Sequence, residues 1–183
     1  MDYPGNWHSR LGDGEPFTAE EFETLADYAG RNAGPSMLFD AYCERQIPPD
    51  VLRAVLVGVW TAAEWPMWGI PKDIWLMWFR LAAYPKPSAP LTLYRGATPA
   101  HARGMSWTLD REHAGWFAQR FENAIGVPLA RGARFCPGHV YCATVEPAGI
   151  LAVVDDLEPN GRKEHEIIID PAHLPRPVRR WTP

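Results

Sequence analysis

Gly161-Arg162-Lys163-Glu164-His165-Glu166-Ile167-Ile168-Ile169-Asp170 is the stretch around which the rest of the chain is read. Three consecutive isoleucines, entered from the turn residues Pro159, Asn160 and Gly161 and closed by Asp170-Pro171, predict a buried strand. A strand alternates its side chains, so a strand from Glu164 to Ile169 would set Glu164 and Glu166 on one face and His165 on the other. Two carboxylates side by side at the mouth of an apolar strand repel each other, and burial disfavours their charged forms. Taken alone, the segment reads rather as a solvated strand start with two exposed acids.

Outward from this stretch, the C-terminal half reads as short strands: 91 to 96, 105 to 108, 138 to 145, 150 to 154, 164 to 169 and 178 to 181. One helix interrupts them. Asp110 is placed to cap it, and Ala114, Phe117, Ala118 and Phe121 form its apolar stripe. The proline-rich run 85 to 90 separates these strands from a helical N-terminal half. There, Thr18 with Glu21 makes a capping box, Phe17 is set to staple against Phe22, and Leu25 and Tyr28 continue the apolar face as far as Gly30. Further helices are predicted from Met37 to Gln46 (opened by Ser36), from Val51 to Glu64 and from Asp73 to Tyr84. The last is faced by Ile74, Trp75, Trp78 and Leu81. Helices first and strands later predict an α+β fold: one domain over residues 1–183, with a helical part at 1–84 and a β-rich part at 91–183.

Composition narrows the classes. The chain has 183 residues, enough for a substantial core, and a net charge of -4, which gives no overall electrostatic footprint for sequence-independent nucleic-acid binding. Nine tryptophans and nineteen prolines point to an aromatic-rich core with many anchored turns. Cys43, Cys136 and Cys142 are odd in number and lack metal spacing, which fits a reducing compartment. His113, Cys136, His139 and Cys142 match no common zinc pattern, so no metal is expected. No signal peptide is read at the N-terminus, and Glu64, Pro66 and Pro71 interrupt the most apolar stretch, so no membrane span is expected. Walker, Rossmann and Gly-x-Ser-x-Gly patterns are absent.

Two more elements carry chemistry. In Leu91-Thr92-Leu93-Tyr94-Arg95-Gly96, Leu91, Leu93 and Arg95 share a face, so a guanidinium ends a hydrophobic row. It could pair an acid, or it could offer a fork of donors to a phosphate that Gly96 lets near the backbone. In Gly104-Met105-Ser106-Trp107-Thr108, Ser106 and Thr108 share one face and Trp107 points to the core.

Tyr94-Arg95-Gly96, Ser106-Trp107-Thr108 and Glu164-His165-Glu166, in that order, resemble the Arg, Ser-x-Thr and Glu-x-Glu elements of the arginine-serine-glutamate mono-ADP-ribosyltransferases, the group of bacterial toxins and vertebrate ecto-enzymes. The resemblance spans roughly residues 91–171. It implies a helical N-terminal layer packed on a small split mixed β-sheet. NAD is the implied co-substrate, without a metal, and ADP-ribose would pass to a macromolecular acceptor with release of nicotinamide. By resemblance, Glu166 holds the ribose and stabilises the cationic transition state, Arg95 fixes a phosphate and the nicotinamide ribose, and Gly96 belongs to the cofactor site. Ser106 orients Glu166, Thr108 supports the strand geometry, and Glu164 activates or positions the acceptor. A protein arginine is the favoured acceptor and a nucleic acid the alternative, while Trp107 at the centre of Ser-x-Thr departs from the pattern. The loop from Asp155 to Lys163 matches a target-recognition loop, and Arg131 and Arg134 lie where a loop over NAD is expected. A toxin, an effector delivered into a target cell's cytoplasm or a phage-encoded cytoplasmic modifier would each fit. The rivals are an NAD glycohydrolase, in which water replaces the acceptor, and a non-catalytic module binding a protein through the Trp-rich helical part.

Overall fold

The computed structural model describes residues 7–123, 137–157 and 164–182. Arg131, Arg134, Cys136, the 159–161 turn and most of the 155–163 loop lie outside the described residues, as does the side chain of Phe121. The chain divides into two compact units, Met1–Tyr84 and Pro85–Pro183, so the change of character read at the proline-rich run separates two compact bodies within the expected single domain.

The first unit is helical: α1 (Trp7–Leu11), α2 (Ala19–Ala29), α3 (Gly34–Cys43), α4 (Pro49–Ala62) and α5 (Lys72–Ala82). Thr18 caps α2 by accepting from the Glu21 N–H at 3.2 Å, and Phe17 meets Phe22 edge-on at 5.9 Å. Gly30, at a φ of 90°, ends α2 in a conformation that side chains rarely adopt. Tyr28 and Leu81, expected on apolar faces, are exposed. Their helices present only a narrow buried stripe, and these two residues fall outside it. The third helix begins at Gly34 rather than beside Ser36, because Pro35 supplies the fixed φ suited to a first turn. Trp75 and Trp78 are fully buried, with ring centroids 5.2 Å apart, and Trp60 stands edge-on to Trp75 at 5.0 Å.

The second unit holds the sheet: β1 (Leu91–Ala97), β2 (Ser106–Thr108), β3 (His139–Val145), β4 (Ile150–Val153), β5 (Glu166–Ile169) and β6 (Arg179–Arg180), with α6 (Arg111–Asn123) after β2 and the short α7 (Val154–Leu157) after β4. The strand order is β4-β5-β2-β1-β3-β6, and every pair is antiparallel. Among the described residues this is one antiparallel sheet, not the mixed sheet that was expected. Neighbouring strands run in opposite directions throughout, whereas β2, β3 and β4, consecutive in the chain, run the same way and never pair with one another.

The two sheet faces differ. Leu93, Trp107, Tyr141, Val145, Ile167 and Ile169 share a buried apolar cluster on one of them. Against the other lies α6, and it lies close: a Cβ on Gly96 would overlap the Ala114 carbonyl and the Ala118 amide. Only glycine lets the helix backbone rest on β1 there. Asp110 caps the helix, its carboxylate accepting from the Glu112 N–H at 2.7 Å and the His113 N–H at 3.2 Å. The His113 and Glu112 amides hold that carboxyl below its ordinary range.

Candidate functional site

The pairing of β2 with β5 builds the centre of the site. Ser106 lies opposite Ile168, Trp107 opposite Ile167 and Thr108 opposite Glu166. Cross-strand partners share a face, so Ser106, Thr108 and Glu166 stand together while Trp107 enters the core. The Trp107 indole N–H donates to the Gly104 carbonyl at 3.0 Å, which fixes the strand's roll. Buried Thr108 works on the backbone. Its hydroxyl donates to the Glu164 carbonyl at 2.8 Å and accepts from the Asp110 N–H at 3.0 Å. One side chain thereby ties the start of α6 to the residue entering β5.

Glu164 and Glu166 do not simply share a strand face. The strand begins at Glu166, and His165 has a φ of 50°, in the left-handed region. That residue breaks the alternation on which the sequence reading of the pair depended. The kink is anchored on both sides: the His165 carbonyl accepts from the Leu109 N–H at 3.0 Å, and its Nδ1 meets Asp155 Oδ2 at 2.8 Å. Asp155, expected in an open acidic loop, therefore sits in the first turn of α7 and braces the Glu-His-Glu stretch.

Arg95 follows the expected alternation, on the same side of β1 as Leu93. The ladder between β1 and β2 consists of the single pair Tyr94–Thr108. Beyond it the strands part, and the Arg95 guanidinium occupies the seam. Its Nε donates to the His101 carbonyl at 3.0 Å, and its Nη1 makes a very short bond to the Ser106 carbonyl. Gly104 packs so tightly on the guanidinium that a Cβ would overlap it. Burial pulls the Arg95 guanidinium below its ordinary range, and the opposing charge of Glu166 offsets this only in part. The guanidinium is thus a part-buried cation held by two backbone carbonyls, with Glu166 as the opposing charge in its field. The approach expected at Gly96 is taken by the α6 backbone.

Ser106, Thr108 and Glu166 thus share the α6 face, while Arg95 starts on the opposite, core face and brings its guanidinium to the β1–β2 seam, within the field of Glu166. His113 joins them on the side of α6. Its Nε2 stands 4.0 Å from Glu164 Oε2, is buried, and has no hydrogen-bond partner. The sequence offered His113 only as a poor metal ligand; its place three residues after the capping Asp110, beside Ser-Trp-Thr, was the available signal. Arg103 carried no signal. It donates to the carbonyls of Pro171 at 2.5 Å, Pro175 at 2.7 Å and Leu174 at 3.3 Å, gathering the chain that follows β5.

Among the described residues, no group of three or more His, Cys, Asp or Glu side chains is placed to hold a metal ion. No helix among them is long and apolar enough to cross a membrane. What fold and geometry define is a class: an α+β chain whose antiparallel sheet sets two hydroxyls and the Glu166 carboxylate on one face, with the Arg95 guanidinium at the adjoining seam. No protein-family model matches the chain, and no curated protein or solved structure is significantly similar to it.

Proposed function

We propose that the chain is an NAD-dependent mono-ADP-ribosyltransferase. The observation that carries this reading is the β2–β5 register, which stands Glu166 opposite Thr108 with Ser106 on the same face. The guanidinium of Arg95 lies at the Ser106 carbonyl and within the field of Glu166. The ordered resemblance of the three motifs points the same way.

The chemistry asks for these parts. NAD supplies an ADP-ribosyl group attached to a good leaving group, nicotinamide, through a bond whose cleavage places positive charge on the ribose. Glu166 offers fixed negative charge where that charge develops. Held by the β2–β5 ladder, it needs little reorganisation at the moment of reaction. Arg95 supplies the positive counterpart for the diphosphate. Ser106 orients Glu166, and Thr108 holds the strand end that carries both acids. Glu164, outside the strand behind a left-handed residue, faces α6 and is set apart for the acceptor.

The deciding experiment is nicotinamide release from NAD by the wild-type chain and by Glu166→Gln. The amide keeps the shape and removes the charge, so turnover is expected to fall by about two to three powers of ten, with melting temperature preserved. Normal turnover in the variant, or none in the wild type, would refute the proposal.

A further inference from the structure

Beside the seam, α6 carries a strip of rings and cations of which the transfer mechanism uses only the end at Glu164. It starts at Glu164, 4.0 Å from the unpartnered, buried Nε2 of His113. The His113 ring is 5.0 Å from Phe117 and 6.2 Å from Trp116, and Trp116 meets Phe117 edge-on at 5.0 Å. Arg120 lies over Trp116 at 5.7 Å, yet 55% of Trp116 remains exposed. On the flank of α6 nearer the sheet edge, Arg111 lies over Trp181 at 4.8 Å, beside exposed Arg179 and Arg180 on β6. In a chain of net charge -4, the described side chains of α6 and β6 include four arginines and one acid, Glu112.

We infer that this strip is the acceptor site and that the acceptor is single-stranded nucleic acid, modified on a base. The inference rests on the transferase reading above and names its substrate class. Exposed rings offer faces on which bases stack, and guanidiniums beside them meet phosphates. An arginine side chain of a protein is the poorer fit, because Arg111, Arg120, Arg179 and Arg180 along the strip repel a further cation. A base stacked on Trp116 lies on the helix flank of His113, whose buried Nε2 faces Glu164, the part-exposed carboxylate at the end of the strip. In the transfer step a base nitrogen gives its lone pair to the ribose carbon as the bond to nicotinamide breaks. Nicotinamide departs neutral with the bonding pair, and the base's displaced proton passes to the Glu164 carboxylate. Glu164 therefore acts on the acceptor and Glu166 on the donor.

Two readouts test this on the whole chain. The first is fluorescence anisotropy of dye-labelled single-stranded DNA and RNA oligonucleotides of one sequence, at low and at moderate salt. Binding of either is expected, weakening as salt rises, with Trp116→Ala about tenfold weaker or more and Trp116→Phe close to wild type. Trp68→Ala, which removes an 80%-exposed ring from the helical unit, should leave binding unchanged. Absence of binding at low salt, or wild-type affinity in Trp116→Ala, would overturn the inference. The second readout offers labelled NAD with the oligonucleotide and an arginine-rich peptide together. Label on the oligonucleotide supports the inference; label on the peptide alone overturns it and leaves the transferase reading standing. Ring-dependent oligonucleotide binding without nicotinamide release supports the strip as a nucleic-acid site and defeats the transferase reading.

Discussion

The helical unit and the sheet unit are held together by different physics. In the first, large rings pack on one another: Trp60, Trp75, Trp78 and Phe79 meet edge-on or tilted, with centroids 5.0 to 6.4 Å apart. In the second, the buried cluster is mostly aliphatic, and polar side chains reach backbone carbonyls to fix the connections. Arg95 holds the carbonyls of His101 and Ser106, Arg103 those of Pro171, Leu174 and Pro175, and Thr108 that of Glu164. Ring packing depends on volume and tolerates little loss of it. Backbone capture depends on direction, which suits a region that must hold carboxylates at set positions.

The contrast predicts a graded series of losses. The largest belongs to the ring core, where Trp75→Ala should lower stability by about 3–5 kcal/mol. Loss of the Trp75 indole bond to the Pro66 carbonyl, 3.1 Å long, adds to the cavity. Chemical denaturation read by far-UV dichroism measures it, and a loss near that of exposed Trp68→Ala would dissolve the contrast.

Next comes the sheet unit's own anchor. Arg103→Ala leaves three carbonyls without their charged donor, and each charge-assisted bond contributes about 1.5–3 kcal/mol. A net loss in that range is expected, smaller than for Trp75 because water can reach the outermost carbonyls. Arg103→Lys should recover only part of it, since one ammonium does not reproduce the planar fork. Full recovery by lysine would mean that charge alone suffices.

A smaller effect is expected for Thr108→Val, which keeps the volume and removes the hydroxyl shared between the Glu164 carbonyl and the Asp110 amide. About 1–2 kcal/mol should be lost. Hydrogen exchange at the Asp110 amide should quicken more than exchange in β2. If exchange there is unchanged, the hydroxyl does not tie α6 to β5.

The smallest is an ion pair of the helical unit. Arg10 and Glu21 meet at 2.5 Å, and Arg10 above all, with help from the Thr18 amide, holds the Glu21 carboxyl below its ordinary range. A depressed folded-state value means that the contribution is present above the unfolded carboxylate range, near pH 4, and lost as pH falls through the folded value. Because Glu21 is partly exposed, the contribution is under about 1 kcal/mol. Glu21→Gln should flatten the acid side of the stability–pH curve by that amount. An unchanged curve would leave the pair without energetic weight.

Much of this was legible in the residues. The Thr18 cap, the Phe17–Phe22 staple, the burial of Trp75 and Trp78, the change at the proline-rich run and the placing of Ser106 and Thr108 on one face all follow from local periodicity and capping. These are short-range effects that each segment carries by itself. The candidate site was legible as a set of motifs but not as a geometry. Strand alternation joined Glu164 to Glu166, and the left-handed His165 undid it, held there by Leu109 and Asp155 from other elements. Gly96 read as an opening for a ligand, whereas α6 fills it.

By itself, then, the sequence determined the longer helices and the strands, the burial of Trp75, Trp78 and Trp107, and the common face of Ser106 and Thr108, though not the short helices α1 and α7. Only the tertiary structure decided the antiparallel order of the sheet, the seam where β1 parts from β2, and the approach of His113 to Glu164. The reason is physical. Capping and periodicity act over one or two turns of chain, whereas strand order and the pairing of Arg95 with a carbonyl 11 residues away are chosen by whichever distant backbone groups are left to satisfy once the core has closed.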